Sequence, residues 1–128
     1  MKQEEFVQRL QEVQDLMNRE KYLEALNILA KLKEVEKTHN FNYDLVHKLY
    51  QLDSNTHSLY NQQIILDRIK KMQSFSNLNE ILLDDLKNQL SEHDGLDLED
   101  SILHRELELL ILRGNLSCYF DGNKIRFE

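Results

Sequence analysis

The sequence predicts a mainly α protein: an N-terminal set of amphipathic helices, arranged as a bundle or as hairpins, followed by a small module that ends in a β-hairpin. Three observations carry this prediction. No proline occurs in the 128 residues, and glycine stands only at positions 95, 114 and 122, so little removes a helical donor or loosens the backbone. Up to about residue 112, apolar residues return every three or four positions, the period of a helix with one buried face. After Gly114 the period falls to two on either side of Asp121-Gly122, a strong short-range hairpin signal.

Phe6, Leu10, Val13 and Met17 mark the first helix, which the polar Asn18-Arg19-Glu20 ends. Tyr22, Ala25, Leu26, Leu29, Leu32 and Val35 (or Glu36, if the stripe drifts) mark the second, where the small Ala25 permits close approach of a neighbour. Residues 21–37 resemble one helix of the hairpins in tetratricopeptide-type arrays and rod-like tethering proteins. No second copy occurs at a fixed period, which favours an ordinary bundle helix. Residues 38–42 are polar and rich in loop formers, and Asn40 or Asn42 can cap the third helix. From 43 to 72 the stripe Leu45, Leu49, Leu52, Thr56 and Leu59 passes through a polar stretch without a breaker. One long helix is therefore preferred to two nearly collinear ones.

Residues 73–77 form a second polar break. It sets the expected organisation: 1–75 as a helical scaffold and 76–128 as a module packed on it, or the two as one continuous domain. Ser76 or Asn77 can cap a helix through Leu78, Leu82, Leu86 and Leu90, widened by Ile81 and Leu83. Gly95 lies in the turn that ends it. Asp97 is a good cap for the next helix, with Glu99 and Asp100 in the first turn where the helix dipole favours them. That helix holds Ile102, Leu103, Leu107 and an unbroken apolar stretch from 109 to 112, so it is expected to be the most buried in the chain. Gly114 stops it, with Leu116 folding back on the last turn. Leu116, Cys118, Phe120, Ile125 and Phe127 then share the hairpin face that covers this helix, and an isolated hairpin needs such support.

Net charge is −7, and its distribution is uneven. Residues 1–79 hold 11 acidic and 11 basic side chains, whereas 80–128 hold 12 and 5. Such a module repels a nucleic-acid backbone or an anionic lipid surface unless a local basic patch overcomes its field. No run approaches about 18 consecutive apolar residues, so no membrane span is expected. The opening MKQEEFVQRL has two glutamates and no apolar run, unlike a secretory or transit signal. The single cysteine, Cys118, can form no internal disulfide. Together these predict an intracellular setting, cytoplasm or nucleus.

Catalytic, cofactor and metal motifs are not found. His39, His47, His57, His93 and His104 include no pair spaced i, i+4 on a helix. His93, Asp94, Asp97 and Asp100 cluster near Gly95, but without the ligand order and closing glutamate of a calcium loop. Cys118 sits among apolar neighbours, where burial raises a thiol's pKa. Ser101 has no glycine-flanked elbow, and no glycine-rich phosphate loop occurs. The carboxylate pairs Glu4-Glu5, Asp84-Asp85 and Glu99-Asp100 point apart on a helix and read as solvated faces. A non-enzymatic protein without a cofactor is expected. An enzyme with a site assembled from dispersed residues is the remote reading.

Tyr119, Lys124 and Arg126 should face outward together on the hairpin, an aromatic and basic patch on an otherwise acidic module. Cross-strand stacking of Tyr119 on Arg126 is the plain structural reading, and partner binding the functional one. The segments Leu83-Asp84-Asp85-Leu86, Leu98-Glu99-Asp100 and Leu110-Ile111-Leu112-Arg113-Gly114-Asn115-Leu116, then Asp121-Gly122 with Ile125, make residues 81–127 winged-helix-like. This stretch resembles the winged-helix end of PCI-type scaffold subunits of the proteasome lid, the signalosome and translation-initiation complexes. In that family a helical array, longer than the one here, precedes a winged helix that mediates subunit packing. The resemblance implies an adaptor or scaffold subunit that acts by protein–protein interaction, with one or more protein partners in a larger complex or through self-association. The alternative is a nucleic-acid-binding winged helix with the helix after Asp97 as reader. That helix is mostly leucine and glutamate, and Arg105 and Arg113 hardly offset its field.

Overall fold

A computed structural model describes residues 1–76 and 79–128. Among them are five helices, α1 (Gln3–Asn18), α2 (Tyr22–Glu36), α3 (Tyr43–Ser76), α4 (Leu83–Asp94) and α5 (Asp100–Leu112). Three short strands, β1 (Glu80–Leu82), β2 (Cys118–Asp121) and β3 (Lys124–Phe127), form one antiparallel sheet. The protein is thus mainly helical with a small sheet near its C-terminus. It divides into two compact units, Met1–Tyr60 and Asn61–Glu128.

In the first unit the predicted stripes converge. Phe6, Leu10 and Val13 of α1, Ala25, Leu29 and Leu32 of α2, and Leu49 and Leu52 of α3 form one core. Ala25 is fully buried, as a small residue at a close helix contact should be. The turn after α1 is tight: Lys21 N–H donates to the Leu16 carbonyl at 2.9 Å and Glu20 N–H to Met17 at 3.0 Å. This Schellman-type closure puts Glu20 at φ 60, a conformation that ordinarily favours glycine. Of the two candidate asparagines, Asn42 caps α3, its Oδ1 accepting the Asp44 N–H at 2.8 Å. α3 runs unbroken through the weak position of its stripe. Thr56 is fully buried there, and its hydroxyl donates to the Leu52 carbonyl at 2.6 Å, which satisfies the polar group inside the helix. The helix also continues to Ser76, so residues 73–76 are not the expected break. Polar side chains merely suggest a loop; without proline or glycine they leave the helical ladder intact.

The second unit departs from the sequence reading just after α3. Residues 80–82, expected inside a helix through Leu78 and Leu82, form strand β1 and pair with β3: Glu80 opposite Arg126, Ile81 opposite Ile125, Leu82 opposite Lys124. Ile81 is buried and Leu82 is 43% exposed, the alternation of a strand. Pairing with a distant strand overrides the leucine spacing that suggested helix. The side chain of Ser76, together with Asn77 and Leu78, lies outside the described residues, and with them the expected cap. α4 instead begins directly after β1. Leu82 holds the cap position with extended backbone, and the Leu83 N–H donates to the Asn123 carbonyl of the hairpin turn at 2.8 Å.

α4 ends at Gly95 in the left-handed conformation, φ 62. Asp97 does not cap α5. It accepts a hydrogen bond from the Ser91 hydroxyl, and Glu99 takes the cap position with no side-chain bond, its carbonyl receiving the Ile102 and Leu103 N–H groups. On α5, Leu103, Glu106, Leu107 and Leu110 are buried, whereas Leu112 is 81% exposed. Two residues turn a helix by about 200°, so Leu112 faces away from Leu110 and its apolar last turn is only half covered. Gly114 at φ 78 then lets the Asn115 and Leu116 N–H groups reach back to the Leu110 carbonyl, and Leu116 is buried as expected.

β2 and β3 pair with Asp121 opposite Lys124 across Gly122-Asn123, and the sheet order is β1-β3-β2. The inner face supplies Ile81, Cys118 and Ile125, with Phe120 and Phe127 half-buried. They pack into a core shared with Ile65, Ile69, Leu86, Leu90, Leu103, Leu107 and Leu110.

Candidate functional site

The outer face of this sheet carries the three predicted patch residues. Register puts Tyr119 beside Arg126 and next to the Lys124–Asp121 pair, and Tyr119 is 48% exposed. β1 adds what sequence reading left out, Glu80, opposite Arg126. Lys124 Nζ lies 3.1 Å from Glu80 Oε2, and Arg126 Nε lies 3.5 Å from the same oxygen and 2.7 Å from Asp121 Oδ2. Among the described residues the Arg126 Nε–H has no hydrogen-bond partner, so its contact with Asp121 is an ion pair without an aligned hydrogen bond. The patch is therefore a charge-balanced cluster of two cations and two carboxylates beside one tyrosine.

The other cations after residue 79 are also engaged. Lys87 Nζ pairs with Asp100 at 2.8 Å. Arg105 donates from Nε and a terminal nitrogen to Glu106 Oε1 at 3.1 and 2.9 Å. Arg113 donates to Gln62 Oε1 at 2.7 Å, and Gln62 Nε2 donates to Glu106 Oε2 at 2.9 Å. This chain Arg113–Gln62–Glu106–Arg105 runs through the interior, for Gln62 and Glu106 are both buried. A buried carboxylate costs free energy unless paired and hydrogen-bonded, and here both oxygens are. Sequence reading overlooked it, although 103, 106, 107 and 110 are the spacing of one helix face.

A second ion pair ties α3 to α4. Arg68 bonds Asp94 through two nitrogens at 2.9 and 3.0 Å, with both side chains mostly buried. The guanidinium holds the Asp94 carboxyl below its ordinary value of 3.8, and the carboxylate raises Arg68. A carboxyl with a depressed folded pKa contributes stability that is complete above the unfolded value and lost as pH falls through the folded one. Acid unfolding of the wild type is thus expected to be steeper below the ordinary carboxyl range than that of Asp94→Asn. Arg68→Ala is expected to cost about 2 kcal/mol near neutral pH in urea unfolding. Equal acid profiles for wild type and Asp94→Asn would mean that this pair contributes nothing to acid stability.

One open apolar cleft, of about 330 Å³, lies where the end of α5 meets β2, lined by Glu108, Ile111, Leu112, Cys118, Tyr119 and Phe120. It includes Tyr119 and two exposed residues that sequence reading missed, Leu112 and Glu108. Burial, with the Glu128 carboxylate as a smaller cause, pushes the Cys118 thiol up, which keeps it protonated and unreactive. The histidines stay apart. His57 Nε2 lies 3.5 Å from Asp53, which also binds Lys33 at 3.0 Å. His104 stacks on Phe120 at 4.0 Å between ring centroids, and His39 stacks on Phe41 at 5.3 Å. Among the described residues no group of three or more His, Cys, Asp or Glu side chains could hold a metal ion, and no helix is long and apolar enough to cross a membrane. Comparisons with protein-family models, curated proteins and solved structures found no match.

Proposed function

We propose that the chain is a non-enzymatic adaptor or scaffold subunit of an intracellular complex, and that its second unit is a winged-helix-like module that binds protein. The element order α3–β1–α4–α5–β2–β3 with a β1-β3-β2 sheet supports the winged-helix reading, and with it the resemblance to PCI-type subunits. The observation that carries the choice of partner is the engagement of all five cations after residue 79. Lys87, Arg105, Lys124 and Arg126 meet carboxylates, and Arg113 meets Gln62. Phosphate binding requires cations that can exchange counterions for phosphates; here each would first have to leave an internal partner, within an acidic field.

A protein surface asks for less. An exposed tyrosine beside an arginine, Tyr119 and Arg126, belongs to the residue types from which interface hot spots are built. The test is twofold. A titration with a 20-base-pair duplex at low salt is expected to give no saturable binding at micromolar concentration. Affinity purification of the tagged full chain from its native cell is expected to recover at least one protein at fixed stoichiometry, insensitive to nuclease. Salt-sensitive submicromolar DNA binding would favour the nucleic-acid reading, and recovery of a lone monomer would overturn the scaffold reading.

A further inference from the structure

We propose that the α5–β2 cleft receives the side chain of one arginine from a partner protein, with its aliphatic stem on the apolar wall and its guanidinium on Glu108. The inference rests on the scaffold reading and adds the chemistry of the contact.

Two elements build the cleft. Ile111 and Leu112 of α5, with Cys118 and Phe120 from the inner face of β2, line a space of about 330 Å³ that is open to solvent. Leu112 is 81% exposed, so the wall is apolar surface left in water, and covering it with methylene groups is favourable. Glu108 lines the same space. It precedes Leu112 by four residues, which on a helix is about 6 Å along the axis and a rotation of about 400°. The two side chains therefore leave α5 on the same side, one turn apart. The apolar wall and the carboxylate lie within the reach of a single long side chain.

Charge then selects the occupant. Glu108 is exposed and is in no ion pair among the described residues. Arg105, three residues before it on α5, is committed elsewhere: its Nε and a terminal nitrogen bond the buried Glu106 Oε1. Lys124 and Arg126 are held by Glu80 and Asp121. The cleft carboxylate is thus left for a cation from outside the chain. A purely apolar side chain would cover the wall but strip water from Glu108 without pairing it, which costs free energy. A side chain with an aliphatic stem and a cationic end satisfies both parts of the cleft. Arginine suits it better than lysine, because a guanidinium is more weakly hydrated and its fork of donors matches the two oxygens of a carboxylate.

The test titrates the nitrogen-15-labelled full chain with a capped pentapeptide that carries one arginine among glycines, and reads amide shifts. One side chain binds weakly, with a Kd of about a millimolar, and the shifts are expected at residues 108, 111, 112, 118 and 120. Citrulline in place of arginine keeps the stem and removes the charge; a guanidino residue with a single methylene keeps the charge and shortens the stem. Each peptide is expected to bind about fivefold more weakly or worse. Glu108→Gln and Leu112→Ser are expected to weaken arginine binding by a similar factor. Both substitutions are at exposed positions, and circular dichroism verifies that the fold is kept. Four results would each overturn the proposal. They are no saturation at roughly tens of millimolar peptide; equal binding of the citrulline peptide; equally large shifts at Asp84, Asp85 and Glu99, as diffuse attraction to an acidic surface gives; or self-association of the chain that Glu108→Gln abolishes, which makes a second copy the occupant. The peptide needs no native partner, so its failure sinks the cleft contact alone, whereas a lone monomer in the affinity purification sinks the scaffold reading.

Discussion

Glu106→Ala is expected to destabilise the second unit by about 3 kcal/mol, a large effect for a residue whose type is usually found on the surface. Two losses combine. The side chain is fully buried, so truncation leaves a space among α5's packed neighbours. It also deprives one Gln62 N–H of the Oε2 acceptor it meets at 2.9 Å and frees the Arg105 guanidinium from Oε1. The guanidinium can recover water because its side chain is 61% exposed, but the Gln62 donor lies in the interior. The double variant Gln62→Leu with Glu106→Leu separates these terms. Replacing a buried polar pair by apolar side chains of similar volume is often neutral, so this variant should lie within about 1 kcal/mol of wild type. Urea unfolding followed at 222 nm measures both. If Glu106→Ala moves the midpoint no more than a surface substitution, the network has no energetic role.

A contrast between two adjacent residues tests β1 directly. Ile81→Ala is expected to cost about 2–4 kcal/mol, and Leu82→Ala less than about 0.5 kcal/mol. Ile81 is buried opposite Ile125 in the core of the second unit, while Leu82 is half-exposed on the outer face opposite Lys124. A helix running through Leu78, Leu82, Leu86 and Leu90, widened by Ile81, predicts a cost at Leu82 at least as large as at Ile81, since Leu82 would then lie on the centre of the stripe. Equal costs, or a greater cost at Leu82, would count against the strand. The same thermal or urea measurement suffices.

These two positions also mark where sequence patterning stops being informative. Helical period is a local property, and it placed α1, α2, α3 and α5 because buried residues return every three or four positions within each core they enter. It misread residues 80–82 because a three-residue strand has too few alternations to compete with a leucine spacing, and its partner lies over forty residues away. It overlooked Glu106 because a glutamate beside leucines reads as solvated until Gln62 and Arg105 are brought to it.

The candidate site divides along the same line. Tyr119, Lys124 and Arg126 were legible as one face of the hairpin, since alternation about Asp121-Gly122 fixes it within ten residues. The carboxylates that neutralise the two cations were not equally legible. Asp121 comes from the same hairpin, but Glu80 arrives only through β1–β3 pairing. The cleft required the end of α5 to be set against β2 and Leu112 to be left on the open side.

The helix-rich class, the turns at Gly95, Gly114 and Gly122, the hairpin and the acidic bias after residue 79 are legible in the residues alone. All of these come from local backbone preference, short-range period or composition, which need no knowledge of the fold. Which charges are paired and which apolar residues remain exposed follow from the fold instead. Those depend on contacts between residues far apart in the chain, where burial and pairing outweigh local propensity by several kcal/mol.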